Sequence, residues 1–417
     1  MNASVTHRWA TFSALSLIYF VVSAGAFSSM GVVLPAMVRE MNWDWKQAGL
    51  GYTLLGVACG LGSFIPAMLI RRIGVRGTMI IGGVTMVAGF AMMAIAHGIP
   101  AYFIGTTLIG LAFSMVSTVP GTHVLTDIFT NRSTALGAYF AIGGLGGVAG
   151  PLLYLVIQET AHGWRPYWWA FVAMSVASGL FAILTTPGPR DESGHKAEAP
   201  EIEGADEVIE GLKDWTVRRA LMTPQFYVIF GGYTTYLLIN TTAHGFAVEH
   251  LIERHVDASA AALMLSLEAL IGVATSVVGG VLGEKVSAKT LMIWCLVTVA
   301  IGMAALTEAS GWGLMLVYAL GVGFGFGLSF IAPTILLLQY FGKKANLELF
   351  SIMCLLSTVA AAGPAVGGWA RDTWGSFTAM FAICTVITVA MLIATVFLKP
   401  PVRETAAISP RLKEQTQ

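Results

Sequence analysis

Apolar residues gather along this chain in twelve stretches, each long enough to cross a bilayer as a helix. They occupy residues 10–38, 46–70, 77–97, 100–126, 133–158, 166–186, 224–248, 258–283, 289–307, 312–338, 346–370 and 376–398, and we call them spans 1 to 12. A lone strand in lipid would leave its backbone groups without hydrogen-bond partners. The pattern therefore predicts an all-α membrane protein with twelve transmembrane helices.

Prolines, Gly-Pro pairs and one basic motif recur along the chain at a fixed interval of 213 residues. The pairs are Pro120 with Pro333, Gly150-Pro151 with Gly363-Pro364, Pro187 with Pro400, and Arg72-x-Gly74-x-Arg76 with Lys285-x-Ser287-x-Lys289. Because the chain has only 15 prolines, three proline pairs at one offset indicate a duplication. Each copy has an even number of spans, so both copies are expected to share one orientation, as in transporters built from parallel repeats.

Composition and charge placement refine this picture. Hydrophobic residues make up 56% of the chain and charged residues 11%, which excludes a water-soluble globule. Net charge is zero, so no global field would attract nucleic acid. With the N-terminus inside, 18 of the 23 Lys and Arg residues fall on the inner side; the five outside are Arg39, Lys46, Arg165, Arg254 and Arg371. The positive-inside rule predicts a multi-pass protein of the cell inner membrane with both termini cytoplasmic.

The repeats predict four segments. Residues 1–186 form an N-terminal six-helix bundle, 187–223 a cytoplasmic linker, 224–399 a C-terminal six-helix bundle, and 400–417 a cytoplasmic tail. In the linker, Val208, Leu212 and Trp215 recur at helical spacing, which predicts an amphipathic helix on the inner membrane surface. A docking site for a cytoplasmic partner is the alternative to this simple tether.

Two loops at the repeat offset carry a known type of signature. Residues 67–76, with Arg71, Arg72, Gly74 and Arg76, join spans 2 and 3, and residues 280–289 join spans 8 and 9. Both resemble the GxxxDRxGRR signature of the major facilitator superfamily, and the number of spans, the repeat and the central loop agree over nearly the whole chain. The resemblance implies the major facilitator fold, in which two parallel repeats of six helices carry a solute across the membrane.

The resemblance also implies a cytoplasmic gate, in which an acid and several bases pair across the two halves. The positions that match are Arg72, Gly74, Arg76, Gly280, Glu284, Lys285 and Lys289. The first copy has Ala67 in place of the glycine and Arg71 in place of the acid, so Asp127 at the inner end of span 4 would have to supply the partner. The alternative is that these bases serve only to fix topology.

Spans 5 and 11 are rich in glycine around Gly150-Pro151 and Gly363-Pro364. Glycine lets helix backbones touch and proline removes one backbone hydrogen bond, so both helices are predicted to bend there as the halves move. Ordinary glycine packing is the alternative.

Finer motifs resemble the monocarboxylate and oxalate:formate branch of the superfamily. They include Gly31 to Pro35, Asn42-Trp43-Asp-Trp45, Thr223-Pro224-Gln-Phe226, and Arg371-Asp372 running to Phe377. That branch commonly has an arginine in span 8, at the position of Ser276 here. Since every Lys and Arg falls at a membrane edge, no such buried cation is expected to hold a carboxylate.

Polar and aromatic side chains mark a central cavity between spans 1, 4, 7 and 10, where this fold is expected to bind its substrate. The predicted substrate-binding residues are Tyr19, Ser23, Phe27, Ser117, His123, Tyr233, Tyr236, Asn240, His244, Phe326, Ser329 and Phe330. Helix-helix hydrogen bonding is the alternative for the stripe on span 7. Glu268 is the one acidic residue near the middle of a span, which predicts a role in proton coupling, with a structural hydrogen bond as the alternative.

Sequence patterns for other chemistry are missing. No GxxxxGK[ST] motif occurs, so ATP-driven pumping is not expected. His250, Glu253 and His255 approach the HxxEH pattern of zinc peptidases, but Arg254 stands where a ligand is needed. The four cysteines lie within spans without paired spacing. We therefore expect no enzyme, no cofactor and no metal site.

These observations predict a secondary transporter that moves a small organic solute, an organic acid, by symport with protons. One alternative is a proton antiporter that exports lipophilic or cationic compounds. Another is a transporter-like membrane sensor. The expected partners are the substrate, protons and the lipid bilayer, and the expected state is a monomer.

The charge distribution predicts that the central linker faces the cytoplasm. A cysteine replacing Ser193 should react with a membrane-impermeant thiol reagent only after the cells are permeabilised. The measurement is the labelled fraction in intact and in permeabilised cells, and full labelling of intact cells would invert the topology.

Overall fold

The computed structural model describes residues 5–129, 132–161, 163–186, 215–283 and 286–401. Within these ranges the backbone is almost entirely helical and contains no strand. The predicted linker at 187–223 is described only from Trp215 onward, and the predicted tail only to Pro401. Of the apolar residues in the predicted amphipathic helix, Val208 and Leu212 lie outside the described residues, and Trp215 is not helical and packs on the ring of Phe341.

The first repeat begins with a long helix that changes its winding. Span 1 runs from Val5–Ser23 through a π-helical turn, Ala24–Ser28, into Ser29–Met41. Span 2 begins as Trp45–Gly62 and continues into helix Ile65–Ala94, which also contains span 3. Span 4 consists of Ile99–Val116 and Thr118–Ile128, span 5 is Arg132–Ala161, and span 6 is Arg165–Thr185.

The second repeat follows a short helix, Val217–Ala220. Spans 7, 8 and 9 are Pro224–Glu253, Ala258–Gly283 and Ala288–Glu308. Span 10 consists of Trp312–Ser329 and Ile331–Phe341. Span 11 consists of Lys343–Leu356, a 3-10 segment Ser357–Ala362 and Gly363–Trp374, and span 12 is Thr378–Val396.

Ten helices among the described residues are long and apolar enough to cross a membrane by themselves. The helices Trp45–Gly62 of span 2 and Pro224–Glu253 of span 7 fall outside this set. Span 2 opens with Trp45, Lys46 and Gln47, and span 7 carries the predicted polar stripe. Both are therefore helices whose polar groups require protein partners.

The duplication is visible in the places where helices begin and break. The residues that precede helices come in pairs 213 apart: Asp44 with Asp257, Gly98 with Gly311, Ser117 with Phe330, and Trp164 with Phe377. Ser117 and Phe330 interrupt spans 4 and 10 three residues before the paired prolines Pro120 and Pro333. The two repeats thus share their irregularities as well as their spans.

Gly74 shows why the signature loop needs glycine at this position. Its backbone has φ 75° and ψ 172°, a conformation that side chains disfavour, and it separates span 2 from span 3 within helix Ile65–Ala94. The hydroxyl of Thr78 then donates to the carbonyl of Gly74 at 2.9 Å. The chain can reverse direction here without a longer loop.

The helix ends lie on two faces. On the tail face, where the described part of the chain begins and ends, Trp9 packs on Phe129 at 5.4 Å, and Lys289 Nζ donates to the carbonyl of Val396 at 2.8 Å. On the opposite loop face, Trp164 Nε1 donates to Glu40 Oε2 at 2.7 Å. Arg254 Nε donates there to the carbonyl of Ala309 at 2.8 Å.

The repeats touch one another mainly toward the loop face. Arg39 forms an ion pair with Glu249, and the ring of Trp45 packs against Phe377 at 5.3 Å. Backbones meet directly: a methyl group on Gly49 would overlap the carbonyl of Pro364, and one on Gly368 would overlap the carbonyl of Trp45. We call this set of contacts the loop-face seam.

The seam ends part-way through the membrane. On spans 2 and 11 the close contacts reach Gly60 and Thr358, and on spans 5 and 8 they reach Gly144 and Val273. Nearer the tail face, large apolar side chains are exposed: Phe64 66%, Phe140 40%, Val277 61% and Leu355 58%. The repeats are therefore closed against each other at the loop face, and these four positions beyond the end of the seam are exposed.

This geometry predicts which cysteine pairs will cross-link. A Cβ on Gly147 would lie 3.4 Å from the Cβ of Ala269, within the seam, whereas Phe140 and Val277 lie beyond its end. In a chain lacking its native cysteines, Gly147→Cys with Ala269→Cys should oxidise at least about tenfold faster than Phe140→Cys with Val277→Cys, because disulfides need Cβ atoms roughly 3.5–4.5 Å apart. Free thiols of purified, substrate-free protein report the rate, and the reverse order would contradict the described state.

Candidate functional site

Glu268 lies in the interior of the second repeat, where spans 7, 8 and 10 meet. Its exposure is 1%, and the hydroxyl of Tyr318 on span 10 donates a hydrogen bond to its Oε2. On span 7, Nδ1 of His244 stands 4.0 Å from Oε1. A carboxyl group without partners is costly in lipid, so the fold provides two groups on two neighbouring helices.

The polar stripe of span 7 continues from this carboxyl group. Nδ1 of His244 is 2.9 Å from the carbonyl oxygen of Asn240, which can only accept, so Nδ1 carries a proton. The side chain of Asn240 in turn donates from Nδ2 to the hydroxyl of Tyr236 at 3.1 Å. Tyr236, Asn240, His244, Glu268 and Tyr318 thus form one polar cluster, which we call the carboxyl cluster.

The carboxyl cluster borders the seam between the repeats. Gly31 on span 1 packs directly on the backbone carbonyl of His244, and a Cβ on Gly31 would lie 3.3 Å from the side chain of Leu265 on span 8. Gly31 and His244 are equivalent in the two repeats, 213 residues apart. Closure of the seam therefore brings the first repeat against the residues that hold Glu268.

Each repeat contains one group of packed aromatic side chains. In the first repeat Phe113 packs against Tyr19 at 6.1 Å and Phe27 at 5.3 Å, and Tyr139 lies 5.0 Å from Tyr19. In the second repeat Phe326 lies 6.1 Å from Tyr236 and 6.4 Å from Phe330, and Tyr233 lies 5.6 Å from Phe330. Phe113 and Phe326 are equivalent positions. Each repeat thus contributes one aromatic group built around the same residue.

The remaining predicted substrate-binding residues are placed as follows. Ser117 donates its hydroxyl to the carbonyl of Phe113, and Ser329 donates to the carbonyl of Phe326 at 2.8 Å, so both serines bond to their own helices at the breaks. Ser23 lies at the end of the first helix of span 1, and His123 lies in Thr118–Ile128. Both are half-buried.

The predicted gate lies on the tail face, and the structure describes only part of it. Arg72 is exposed and Arg76 half-buried, and Lys289 bonds to the end of span 12 in its own repeat. Glu284 and Lys285 lie outside the described residues, as do the side chain of Asp127 and the surroundings of Gly280.

The predicted bending positions behave differently in the two repeats. Span 5 is one continuous helix, Arg132–Ala161, through Gly150-Pro151, and Tyr167 donates to the carbonyl of Gly150 at 3.1 Å. In span 11 the 3-10 segment Ser357–Ala362 ends directly before Gly363-Pro364. The winding of span 11 therefore changes where that of span 5 does not.

The described part of the chain contains no group of three or more His, Cys, Asp or Glu placed to hold a metal ion. Instead, His250 lies 3.0 Å from the carbonyl of Leu306, and Glu253 forms an ion pair with Arg371.

A family model described as Major Facilitator Superfamily matches residues 15–251 and again residues 234–416. The chain belongs to this superfamily. It is accordingly a multi-pass membrane transporter and not an enzyme, with twelve helices in two parallel repeats. The separate match of each half agrees with the duplication.

Two relatives that the chain matches are distant in sequence. The chain is 21% identical over 355 residues to the "Uncharacterized MFS-type transporter YhjX" of Escherichia coli (strain K12), covering 84% of each chain. It is 26% identical over 189 residues to the "MFS-type transporter acdC" of Aspergillus candidus, covering 45% of this chain and 37% of that protein.

Among solved structures, a point mutant of the nucleoside transporter NupG superposes with a TM-score of 0.73 at 13% identity, covering 94% of this chain and 99% of that one. A bacterial homolog of the human lysosomal transporter Spinster superposes with a TM-score of 0.69 at 16% identity, covering 94% and 96%. These likenesses concern the fold.

Three residues of the candidate site, Phe113, Tyr318 and Tyr139, were not predicted from the sequence. Phe113 could have been found, because it stands at the repeat offset from Phe326. Tyr318 and Tyr139 carry no such signal, since the partners of their hydroxyls, Glu268 and the carbonyl of Ser117, lie on other helices.

The contact between Tyr318 and Glu268 predicts a coupled effect on stability. Tyr318→Phe should destabilise the protein by roughly 1.5–3 kcal/mol, because a buried carboxyl group loses its donor. In a Glu268→Ala chain the same change should cost less than about 0.5 kcal/mol. Thermal unfolding of purified protein measures both, with Tyr102→Phe, whose hydroxyl bonds the carbonyl of Ala48, as the uncoupled control. Equal destabilisation in both chains would show that the effect of Tyr318→Phe does not depend on Glu268.

Proposed function

We propose that this transporter carries a small organic acid together with a proton. The observation that supports the proposal is the carboxyl cluster, a buried acid and a histidine at the seam between the repeats. The neighbouring aromatic groups provide flat apolar surfaces and hydroxyl groups for a small solute.

Charge balance connects the acid to the proton. The described Lys and Arg residues stand at the ends of spans, and Ser276 donates to the carbonyl of Gly272 at 2.9 Å. Ser276 occupies the position where the monocarboxylate and oxalate:formate branch, which the chain resembles, commonly has arginine. An anion that binds between the repeats would add a charge that none of these cations neutralises. Leaving it uncompensated costs several kcal/mol, so the loaded carrier requires a proton.

The cluster offers a route for that proton. Glu268 accepts from Tyr318 and lies 4.0 Å from Nδ1 of His244. Because Nδ1 already faces the carbonyl of Asn240, a substrate carboxylate would bind His244 through Nε2. The bound substrate would add one negative charge beside Glu268, and a proton taken up by Glu268 would offset that charge. Substrate and proton would then move together.

Alternating access completes the cycle. The seam closes the loop face in the described state, and the signature residues Arg72, Gly74, Arg76, Asp127, Gly280, Glu284, Lys285 and Lys289 would close the tail face in the other state. Gly150-Pro151 and Gly363-Pro364 would absorb the bending of spans 5 and 11. The termini and the linker at 187–223 would face the cytoplasm from the inner membrane, with residues 1–186 and 224–399 as the moving bundles of a monomer.

Export of lipophilic or cationic compounds in exchange for protons is the second candidate. It is favoured by the aromatic groups around Phe113 and Phe326, whose ring faces attract cations, and by Glu268 as the exchanged proton site.

Transport by reconstituted protein distinguishes the candidates. Proteoliposomes with an imposed pH gradient are tested against a panel of monocarboxylic and dicarboxylic acids and a panel of lipophilic cations. Accumulation of an acid on the alkaline side supports symport, and accumulation of a cation on the acidic side supports antiport. Transport of neither class would refute both.

Glu268→Gln tests the proposed coupling directly. Glutamine resembles the protonated carboxyl group permanently, so the variant should still exchange labelled for unlabelled substrate across the membrane. Its accumulation in a pH gradient should fall to a ratio of about one, because no proton is released with the substrate.

Leu270→Ala, which changes a side chain 45% exposed on the same helix, is the control and should accumulate substrate as the unaltered protein does. Gradient-driven accumulation by Glu268→Gln at the unaltered level would leave Glu268 with a structural role.

A further inference from the structure

The start of span 2 is held by the other repeat. The carboxylate of Asp372, near the end of span 11, accepts from the backbone N–H of Trp45 at 3.2 Å and of Lys46 at 2.7 Å. These are the first amides of helix Trp45–Gly62 and have no partner within it. Asp372 thus caps span 2 across the loop-face seam.

The equivalent helix of the second repeat is capped in a different way. Asp257 stands directly before span 8, and its Oδ2 accepts from the N–H of Ser259 at 2.9 Å and of Ala260 at 3.2 Å. This is the ordinary arrangement, in which the residue before the helix caps it. The cap belongs to span 8 itself.

Asp44 is the repeat equivalent of Asp257 and stands before span 2, but its side chain makes no cap hydrogen bond. Its backbone already has φ −72° and ψ 144°, the extended conformation of a capping residue. Asp44 therefore needs only a side-chain rotation to reach the amides of Lys46 and Gln47. One of these, Lys46, is now bonded to Asp372.

We propose that Asp372 and Asp44 alternate as the cap of span 2 during the transport cycle. Asp372 caps the helix while the loop face is closed, and Asp44 caps it when the repeats separate and Asp372 leaves. Without Asp44, opening would strand two amides at the end of a tightly packed helix. The exchange makes the closed seam strong yet reversible, and it requires alternating access but no particular substrate.

The ratio of molecules with an open loop face to molecules with a closed loop face tests the exchange. Spin labels at Thr160 on span 5 and Ala258 on span 8, in a chain without native cysteines, report the loop-face separation on the side away from Asp372. Distance distributions of purified, substrate-free protein in nanodiscs give the ratio of open to closed molecules.

Asp44→Ala should lower the open-to-closed ratio about five- to tenfold, the effect expected for one helix cap, because only the open state then loses its cap. In an Asp372→Ala chain Asp44 can cap span 2 in both states, so adding Asp44→Ala should change the ratio by less than about twofold. In an Asp372→Asn chain, which retains an acceptor, Asp44→Ala should still lower the ratio.

Asp257→Ala is the matched control: it removes a cap that serves both states, so it should lower thermal stability without changing the ratio. An Asp44→Ala change that opens the loop face or leaves the ratio unaltered, or one that lowers the ratio equally in the Asp372→Ala chain, would overturn the exchange. Since no substrate is present, these outcomes are independent of whether the protein carries organic acids.

Discussion

A carboxyl group inside a bilayer must find its partners within the protein, and in this chain Glu268 sets that requirement. Its partners come from two other helices, Tyr318 on span 10 and His244 on span 7. Spans 7, 8 and 10 are therefore fixed relative to one another at one depth. Gly31 of the first repeat packs on the backbone carbonyl of His244 at the same place. The first repeat is therefore positioned next to the buried carboxyl group of the second.

Because of the duplication, the two repeats share the positions of their helices and helix breaks, but equivalent positions can have different side chains. Breaks at Ser117 and Phe330 and aromatic centres at Phe113 and Phe326 are shared. The position of Glu268 in the second repeat corresponds to Leu55 in the first, which is buried in the core. One repeat thus presents an apolar packing surface and the other a titratable group. A second carboxyl group at the position of Leu55 would need hydrogen-bond partners of its own.

The features that could be predicted from sequence are those that lipid or local geometry dictates. Span positions follow from apolar length, the glycine at position 74 follows from a reversal that needs positive φ, and the hydrogen bond between Asn240 and Tyr236 follows from helical spacing. Tyr318 could not be assigned to Glu268, because spacing within one helix says nothing about which face of a distant helix it meets. The π-helical turn Ala24–Ser28 also escaped prediction, since it depends on packing against span 5, where the backbone of Gly150 approaches the carbonyl of Ala24.

Reversible closure requires that neither state be much more stable than the other. The loop-face seam meets this condition by dividing its contacts into two kinds. Deep in the membrane the backbones touch through glycine, where lipid offers nearly the same dispersion energy when the contact opens. At the rim, the side chain of Arg39 is 54% exposed and that of Glu249 10%, so water competes for the arginine end of their ion pair. If closure is balanced in this way, the proton coupling proposed above would need only a small change in charge at the carboxyl cluster to decide which face is open.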